Sequence, residues 1–354
     1  MPPQYQKLLT MIRNTLFLIL GLIIGMQLTS LVSFVKLWRA NTVKESGKTS
    51  PLKDPVATEE QLAPLLRRKV RILCLVLTKP SHHRSKADLI KRTWGSRCNK
   101  LLFLSSQSDR KLDVLKVNMS EIRDHLYSKV RTGMSYVHDH YLNEFDWFLK
   151  ADDDTYVIME NLRLFLYPYD PESPVYFGCR LTALFTQGYM SGGGGYVLSR
   201  DALRRLNLFG MNSTTTCKLN GAPEDMEIGH CLQDVGVVAG DTRDFEGHHR
   251  FLPVRPLQLF PELPKGHWSE KFFILNPMYK SDCCSISAIT FHYVRDVEFD
   301  FFEFFLYYVK VFGLYLPQRA LPSRLNFQQT NERLQFWANQ KTDNPFHTMV
   351  KAGN

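Results

Sequence analysis

Apolar and polar positions divide the chain into unlike stretches. Residues from about Thr15 to Val35 are almost all apolar and uncharged. A helix needs roughly 20 such residues to cross a bilayer. Residues 15–35 therefore read as a transmembrane signal-anchor, behind a short tail over residues 1–14. Gly25, Thr29 and Ser30 leave a cleaved signal peptide open as the other reading. Residues 36–68 are polar, carry Pro51, Pro55 and Pro64, and read as a stem. The pattern of a folded domain runs from 69 to 316, and a polar tail is expected over 317–354.

Within that domain, Val70–Leu77 is an apolar run that stops at Thr78-Lys-Pro80 and predicts a buried strand. Ser85–Trp94 has helical spacing, and Lys100–Leu104 reads as a second strand. Ser120–Tyr141 predicts a helix, with Ile122, Leu126, Val130, Met134 and Val137 on one stripe. Phe145–Leu149 predicts a third strand leading to Asp152-Asp-Asp154. Further strands are expected at Val175–Phe177, Tyr196–Leu198 and Thr290–Val294, and helices at Asp201–Leu206 and Glu224–Leu232. Phe299–Tyr315 reads as a helix packed on the core. Strands alternating with helices predict an α/β fold with a mainly parallel sheet.

Charge changes the picture little. The net charge is +9, but the basic residues are scattered and no nucleic-acid-reading motif accompanies them. A nucleic-acid partner is not expected; an enzyme that handles diphosphates is. Lys7 and Arg13 precede the apolar segment while Lys36, Arg39, Lys44 and Lys48 follow it. The positive-inside rule therefore does not set the orientation and leans against a luminal C-terminal side. Two glycosylation patterns, Asn118-Met-Ser120 and Asn212-Ser-Thr214, argue for that side instead. So do seven cysteines without zinc spacing. Local pairs are Cys74–Cys98 and Cys217–Cys231. Cys283 and Cys284 can bond to each other or elsewhere, and Cys179 is left free or for a bond between chains.

Four segments carry chemistry. Asp152-Asp-Asp154 follows a predicted strand, where ligands of α/β sheets bind. Three adjacent carboxylates repel unless a cation sits among them. Hard cations take such oxygens and are completed by substrate phosphates, so a metal–diphosphate site is expected. Gly188–Ser199 holds four consecutive glycines, which permit a tight turn or a close approach of backbone to ligand. Pro223-Glu-Asp225 places carboxylates at a helix start, where they serve as caps or accept a proton from an attacking hydroxyl. His292 in Phe291-His-Tyr293 is either a core residue or an imidazole ligand for a transition metal.

Taken in order, Val70–Pro80, Lys91–Trp94, Arg97–Lys100, Asp146–Tyr156, Tyr176–Gly178, Tyr189–Ser199, Glu224-Asp225, Gly240–Asp244, Cys283-Cys284 and Phe291–Val294 resemble the core 1 β1,3-galactosyltransferases, relatives of Fringe. The resemblance covers about residues 68–315. It implies a GT-A fold in a type II Golgi membrane protein with a luminal catalytic domain. It also implies Mn²⁺, UDP-galactose as donor, and GalNAc linked to Ser or Thr of glycoproteins as acceptor; a homodimer fits it. By position, Asp152, Asp154 and His292 would bind the metal. Leu77, Glu121, Arg123, Lys129, Asp152, His292 and Tyr293 would contact the nucleotide, and Asp225 would be the catalytic base. Between Gly266 and Tyr279 the chain departs from the family. Phe273 and Leu275 stand where acceptor-binding tryptophans are expected. Two alternatives follow: a β1,3-transferase with another acceptor or donor, or a non-catalytic folding partner. The intact acidic motif argues against the second.

Overall fold

The computed structural model describes residues 59–181, 186–211, 217, 223–259, 283–310 and 328. The apolar segment 15–35, the Asn212 pattern, the stretch 266–279 with Phe273 and Leu275, and nearly all of 317–354 lie outside them. Among the described residues no helix is long and apolar enough to cross a membrane.

The chain divides into two units at Lys69/Val70. The described part of the first is helix α1, Glu59–Lys69. It falls in the stretch read as a stem, which is thus helical at its end. Arg67, Arg68 and Lys69 close it, complementing the helix dipole. Pro64 in its second turn masks the helical pattern in the sequence.

The second unit has twelve short strands among its described residues. They are β1 (Ile72–Leu77), β2 (Lys100–Ser105), β3 (Val114–Lys116), β4 (Trp147–Asp152), β5 (Tyr156–Val157), β6 (Val175–Gly178), β7 (Arg180–Leu181), β8 (Tyr189–Met190), β9 (Tyr196–Ser199), β10 (Val238–Ala239), β11 (Phe251–Leu252) and β12 (Thr290–Phe291). The helices used below are α2 (Asp88–Arg92), α3 (Leu126–Tyr141), α4 (Met159–Leu166), α5 (Arg200–Arg205), α6 (Glu224–Asp234), α7 (Pro256–Leu259) and α8 (Asp296–Glu303).

Seven strands form the main sheet in the order β10-β6-β9-β4-β1-β2-β3. Only β9 runs against its neighbours, so the sheet is mixed but mainly parallel. β1 lies centrally and all six of its residues are buried. Side chains alternate across a strand, so Ile72, Cys74 and Val76 join the core on one face and Leu73, Leu75 and Leu77 the other. That is why the run is apolar without alternation. Each such fully buried aliphatic side chain contributes about 1.5–3 kcal/mol. Helix α3 covers the Leu75 face with Tyr127, Val130, Met134 and Val137. Helix α4 covers the other with Met159, Leu162 and Leu166, and Cys74 is bonded there to Cys98. Cys217 bonds Cys231 and Cys283 bonds Cys284.

Several elements differ in extent from their sequence expectation. α3 begins at Leu126, and Ile122 lies before it, 53% exposed, because the chain first makes a short turn over Arg123–His125. The third strand starts two residues and ends three residues later than its apolar run, and so includes Asp152. β12 ends at Phe291, since Tyr293 takes a left-handed φ of 54° that no strand continues through. The C-terminal helix starts at Asp296 and only partly packs on the core. Phe299 is buried, while Phe301, Phe304, Phe305 and Tyr308 are exposed.

Candidate active site

Strand β4 delivers the acidic motif. Its register with β1 sets Asp152 opposite Leu77 at the carboxyl end of the sheet. A turn closed by Thr155 N–H to Asp152 O (3.1 Å) follows and leads into β5. β5 pairs antiparallel with β12, Tyr156 opposite Phe291. That pairing carries His292 to Asp154, with Nε2 3.3 Å from Oδ1. Val294 N–H donates to Asp154 O at 3.0 Å and fixes the arrangement.

The three aspartates are not equivalent. Asp153 is buried and turns away from the other two. It accepts from Thr78 Oγ1 and His82 Nδ1, both at 2.8 Å, and from Lys86 Nζ at 3.3 Å. It thereby ties the loop after β1 to the motif. Asp152, Asp154 and His292 each offer one ligand atom, and these atoms lie within 4.8 Å of one another. Two carboxylates and one imidazole form a donor set that suits a divalent transition ion. Burial pushes the Asp154 carboxyl up, but the hydrogen bond and charge of His292, helped by Lys86, hold it below the usual carboxylate range.

The glycine run makes room for this cluster. A Cβ on Gly193 would meet the His292 ring within 2.0–2.5 Å, and one on Gly192 would meet Glu224 Oε2 at 3.0 Å. Gly195 takes φ +75° to close the turn. Gly192 N–H donates to Asp225 Oδ2 at 2.8 Å. Asp225 sits in the first turn of α6, whose N-cap is Pro223, so its carboxylate is not the cap of that helix. Its neighbour Glu224 is buried instead. Tyr196 Oη donates to Glu224 at 2.6 Å, and burial pushes both side chains above their ordinary pKa.

One cleft of about 960 Å³ gathers Leu77, Glu121, Arg123, Lys129, Asp152, Asp154, Asp225, His292 and Tyr293. Lys129 Nζ donates to Glu121 Oε2 and to Thr78 O, each at 2.6 Å, and Ser106 N–H donates to Glu121 Oε1 at 2.8 Å. Burial pushes the Glu121 carboxyl up, and these donors hold it below its usual range. Tyr293 stacks on His292 with ring centres 3.7 Å apart. Its left-handed backbone marks a strained residue at the site. A second cavity of about 780 Å³ shares Lys86, Asp154 and Tyr293 with the cleft and continues past Arg255 and Arg295.

Sequence reasoning missed two cationic residues here, Lys86 and Lys150. Lys86 reaches Asp153 and Asp154 across the cleft from a solvated-looking segment, which gives no sequence signal. Lys150 interrupts an apolar strand two positions before Asp152. That parity placed it on the same face and could have found it. Cys179 is the free thiol among the described residues. It is wholly buried, so the reading that uses it between chains does not fit its position.

Metal-type ligands and a separate carboxylate thus meet in one cleft at the carboxyl end of a mixed α/β sheet, and the comparisons with known proteins make this a glycosyltransferase. Its relatives specify the kind. The Fringe-like family pattern matches residues 68–262. Glycoprotein-N-acetylgalactosamine 3-beta-galactosyltransferase 1 of Xenopus laevis is 42% identical over 251 residues, 70% of this chain and 69% of that protein. A beta-1,3-glucosyltransferase of Mus musculus is 30% identical over 173 residues, 48% of this chain and 35% of that protein. The chain belongs to the Fringe-like family, in the branch of the core 1 β1,3-galactosyltransferases. Among solved structures, the catalytic domain of Drosophila β1,4-galactosyltransferase 7 in complex with xylobiose aligns at TM-score 0.28 and 16% identity, over 62% of this chain and 77% of that chain.

Proposed function

We propose that this protein transfers galactose from UDP-galactose to the 3-hydroxyl of GalNAc α-linked to Ser or Thr of glycoproteins, with inversion at the anomeric carbon. The observation that carries the reading is the cleft that holds Asp152, Asp154, His292 and Asp225 together, in a chain 42% identical to a relative named for this transfer.

Asp152, Asp154 and His292 would hold Mn²⁺, which suits the mixed oxygen and imidazole donors. Bound there, the ion supplies positive charge against the leaving diphosphate. The chain's own groups do the rest. Lys129, Glu121 and Arg123 shape the nucleotide end of the cleft, and Tyr293 lies at the metal end. Asp225 accepts the proton of the acceptor hydroxyl as its oxygen bonds to the anomeric carbon. The bond from that carbon to the diphosphate oxygen breaks, and UDP leaves with the electron pair. Attack opposite the leaving group turns an α-linked donor into a β-linked product.

The reading includes a GT-A type fold, a Golgi location and a type II orientation with residues 15–35 as anchor. These are supported by family membership, the apolar segment, and disulfides that suit an oxidising lumen.

The test is transfer by the purified protein from UDP-galactose to a GalNAc-peptide with Mn²⁺, against Asp154→Ala and a chelator. Product that depends on both supports the reading. A folded protein that gives no product refutes it. Because residues 266–279 depart from the family, the assay is run on a panel of acceptor sugars and donors. Turnover with another pair alone would assign the protein to a different β1,3-transfer.

A further inference from the structure

Lys150 is a cation that the transfer chemistry leaves without a task. It lies on β4 with its side chain 1% exposed. A buried ammonium must be paired on every side. Its Nζ donates to Asp152 Oδ1 at 2.8 Å and to Gly192 O at 3.2 Å, and lies 3.2 Å from Glu224 Oε2. Gly192 in turn donates its N–H to Asp225 Oδ2, and Tyr196 holds the far oxygen of Glu224. A Cβ on Gly192 would come within 3.2 Å of Lys150 Nζ, so the glycine leaves the space that the ammonium needs. One atom thus touches a carboxylate of the metal-type cluster, the turn that grips Asp225, and the residue that begins its helix.

We propose that Lys150 is a positioning residue that fixes Asp152 and Asp225 relative to each other. The inference rests on the transfer reading above. In that reaction the anomeric carbon lies between a diphosphate held at Asp152 and a hydroxyl facing Asp225. The two ends come from different elements, β4 and α6, and Lys150 bridges them. A misplacement of about 1 Å costs on the order of 10²-fold in rate. Lys150 engages one oxygen of Asp152 and so orients the carboxylate as a neighbour orients a metal ligand. The competing explanation is that Lys150 only balances the buried charge of Glu224. That explanation requires that removing both charges restores everything.

The experiment compares full-length wild type with Lys150→Met and with Lys150→Met/Glu224→Gln. Three quantities are read: thermal midpoint, Mn²⁺ affinity by calorimetry without donor, and kcat and KM of transfer. Lys150→Met lowers the midpoint, because Glu224 is left buried and unpaired. The double variant recovers the midpoint, since Gln still accepts from Tyr196. We expect the double variant to bind Mn²⁺ about 10-fold or more weakly. Its kcat should fall by about 10²-fold with acceptor KM little changed. A stable double variant with wild-type Mn²⁺ affinity and turnover overturns the proposal. So does a double variant that fails to fold, which would make Lys150 a folding element. Wild type that binds Mn²⁺ but transfers no galactose would sink the transfer reading and leave the affinity comparison standing.

Discussion

Gly193 and His292 contend for one volume: a Cβ on Gly193 would lie 2.0 Å from Cε1 of the imidazole. The third ligand of the metal-type cluster is therefore seated on bare backbone. Gly193→Ala should push the ring off Asp154 and cost about 1–3 kcal/mol of stability through overpacking. The variant is expected to fold with a lowered thermal midpoint and weakened Mn²⁺ binding. An unchanged affinity would mean that the ring can shift and still ligate.

Asp154 and His292 are brought to 3.3 Å by the β5–β12 pairing. Asp154→Asn and His292→Ala should each lower transfer by at least about 10²-fold, the scale for removing one stabilising group from a developing charge. Both should weaken Mn²⁺ binding in calorimetry. Asp153→Asn keeps the Asp152–Asp154–His292 set and should leave Mn²⁺ affinity close to wild type, since Asp153 turns to Thr78 and His82.

Asp225→Asn separates binding from chemistry. UDP affinity should stay near wild type, while kcat falls by about 10²–10⁴-fold, the range of general-base catalysis. Equal losses in UDP binding and kcat would move Asp225 from the chemistry to the architecture of the site.

Stability in acid should report Asp146, which is buried at the start of β4's approach. It accepts from Arg71 Nη2 at 2.7 Å, Nε at 3.1 Å and N–H at 3.0 Å, and pairs with Arg200. Burial pushes its carboxyl up, but these donors win and hold it below the ordinary value of 3.8. The unfolded chain therefore takes up this proton first as pH falls. The stabilisation is present above pH 3.8 and is lost as pH drops through the lower folded value. Asp146→Asn should lower the thermal midpoint at pH 7, and its gap from wild type should narrow below pH 4, on the order of the unfolded Asp pKa. A gap that is constant with pH would show that the loss is not one of charge.

Cys179 should be unreactive in the folded protein. It is buried without a charged partner, and burial pushes its thiol well up. A maleimide should label it only after denaturation. Rapid labelling of native protein would mean that the β6–β7 region opens.

What was legible in the sequence follows from how local each signal is. The run Ile72–Leu77 announced a strand covered on both faces, and Asp152 was placed by the strand before it. The stripe Val130, Met134 and Val137 announced the buried face of α3. His292 was different. The sequence announced a strand over Thr290–Val294 and left His292 as core residue or ligand, but β5 was too short to leave a pattern, so only the family resemblance joined His292 to Asp154. Lys150 was overlooked because a lysine in an apolar run looks like an exception, whereas its parity with Asp152 gives it a place. Helix α1 was overlooked because Pro64 lies inside it, although Leu62, Leu65 and Leu66 have helical spacing. The exposed row Phe301, Phe304, Phe305 and Tyr308 shows that aromatic content alone does not tell a core face from an outer one.

His292 also bears on how the enzyme is made. All seven strands of the main sheet precede it in the chain, the last of them at Ala239. During synthesis the two carboxylates emerge early and the imidazole late. A chain cut short before residue 292 would contain the residues of every main-sheet strand yet would lack the imidazole that stands beside Asp152 and Asp154. The candidate ligand set is therefore joined from two distant parts of the chain, and the main sheet by itself does not complete it.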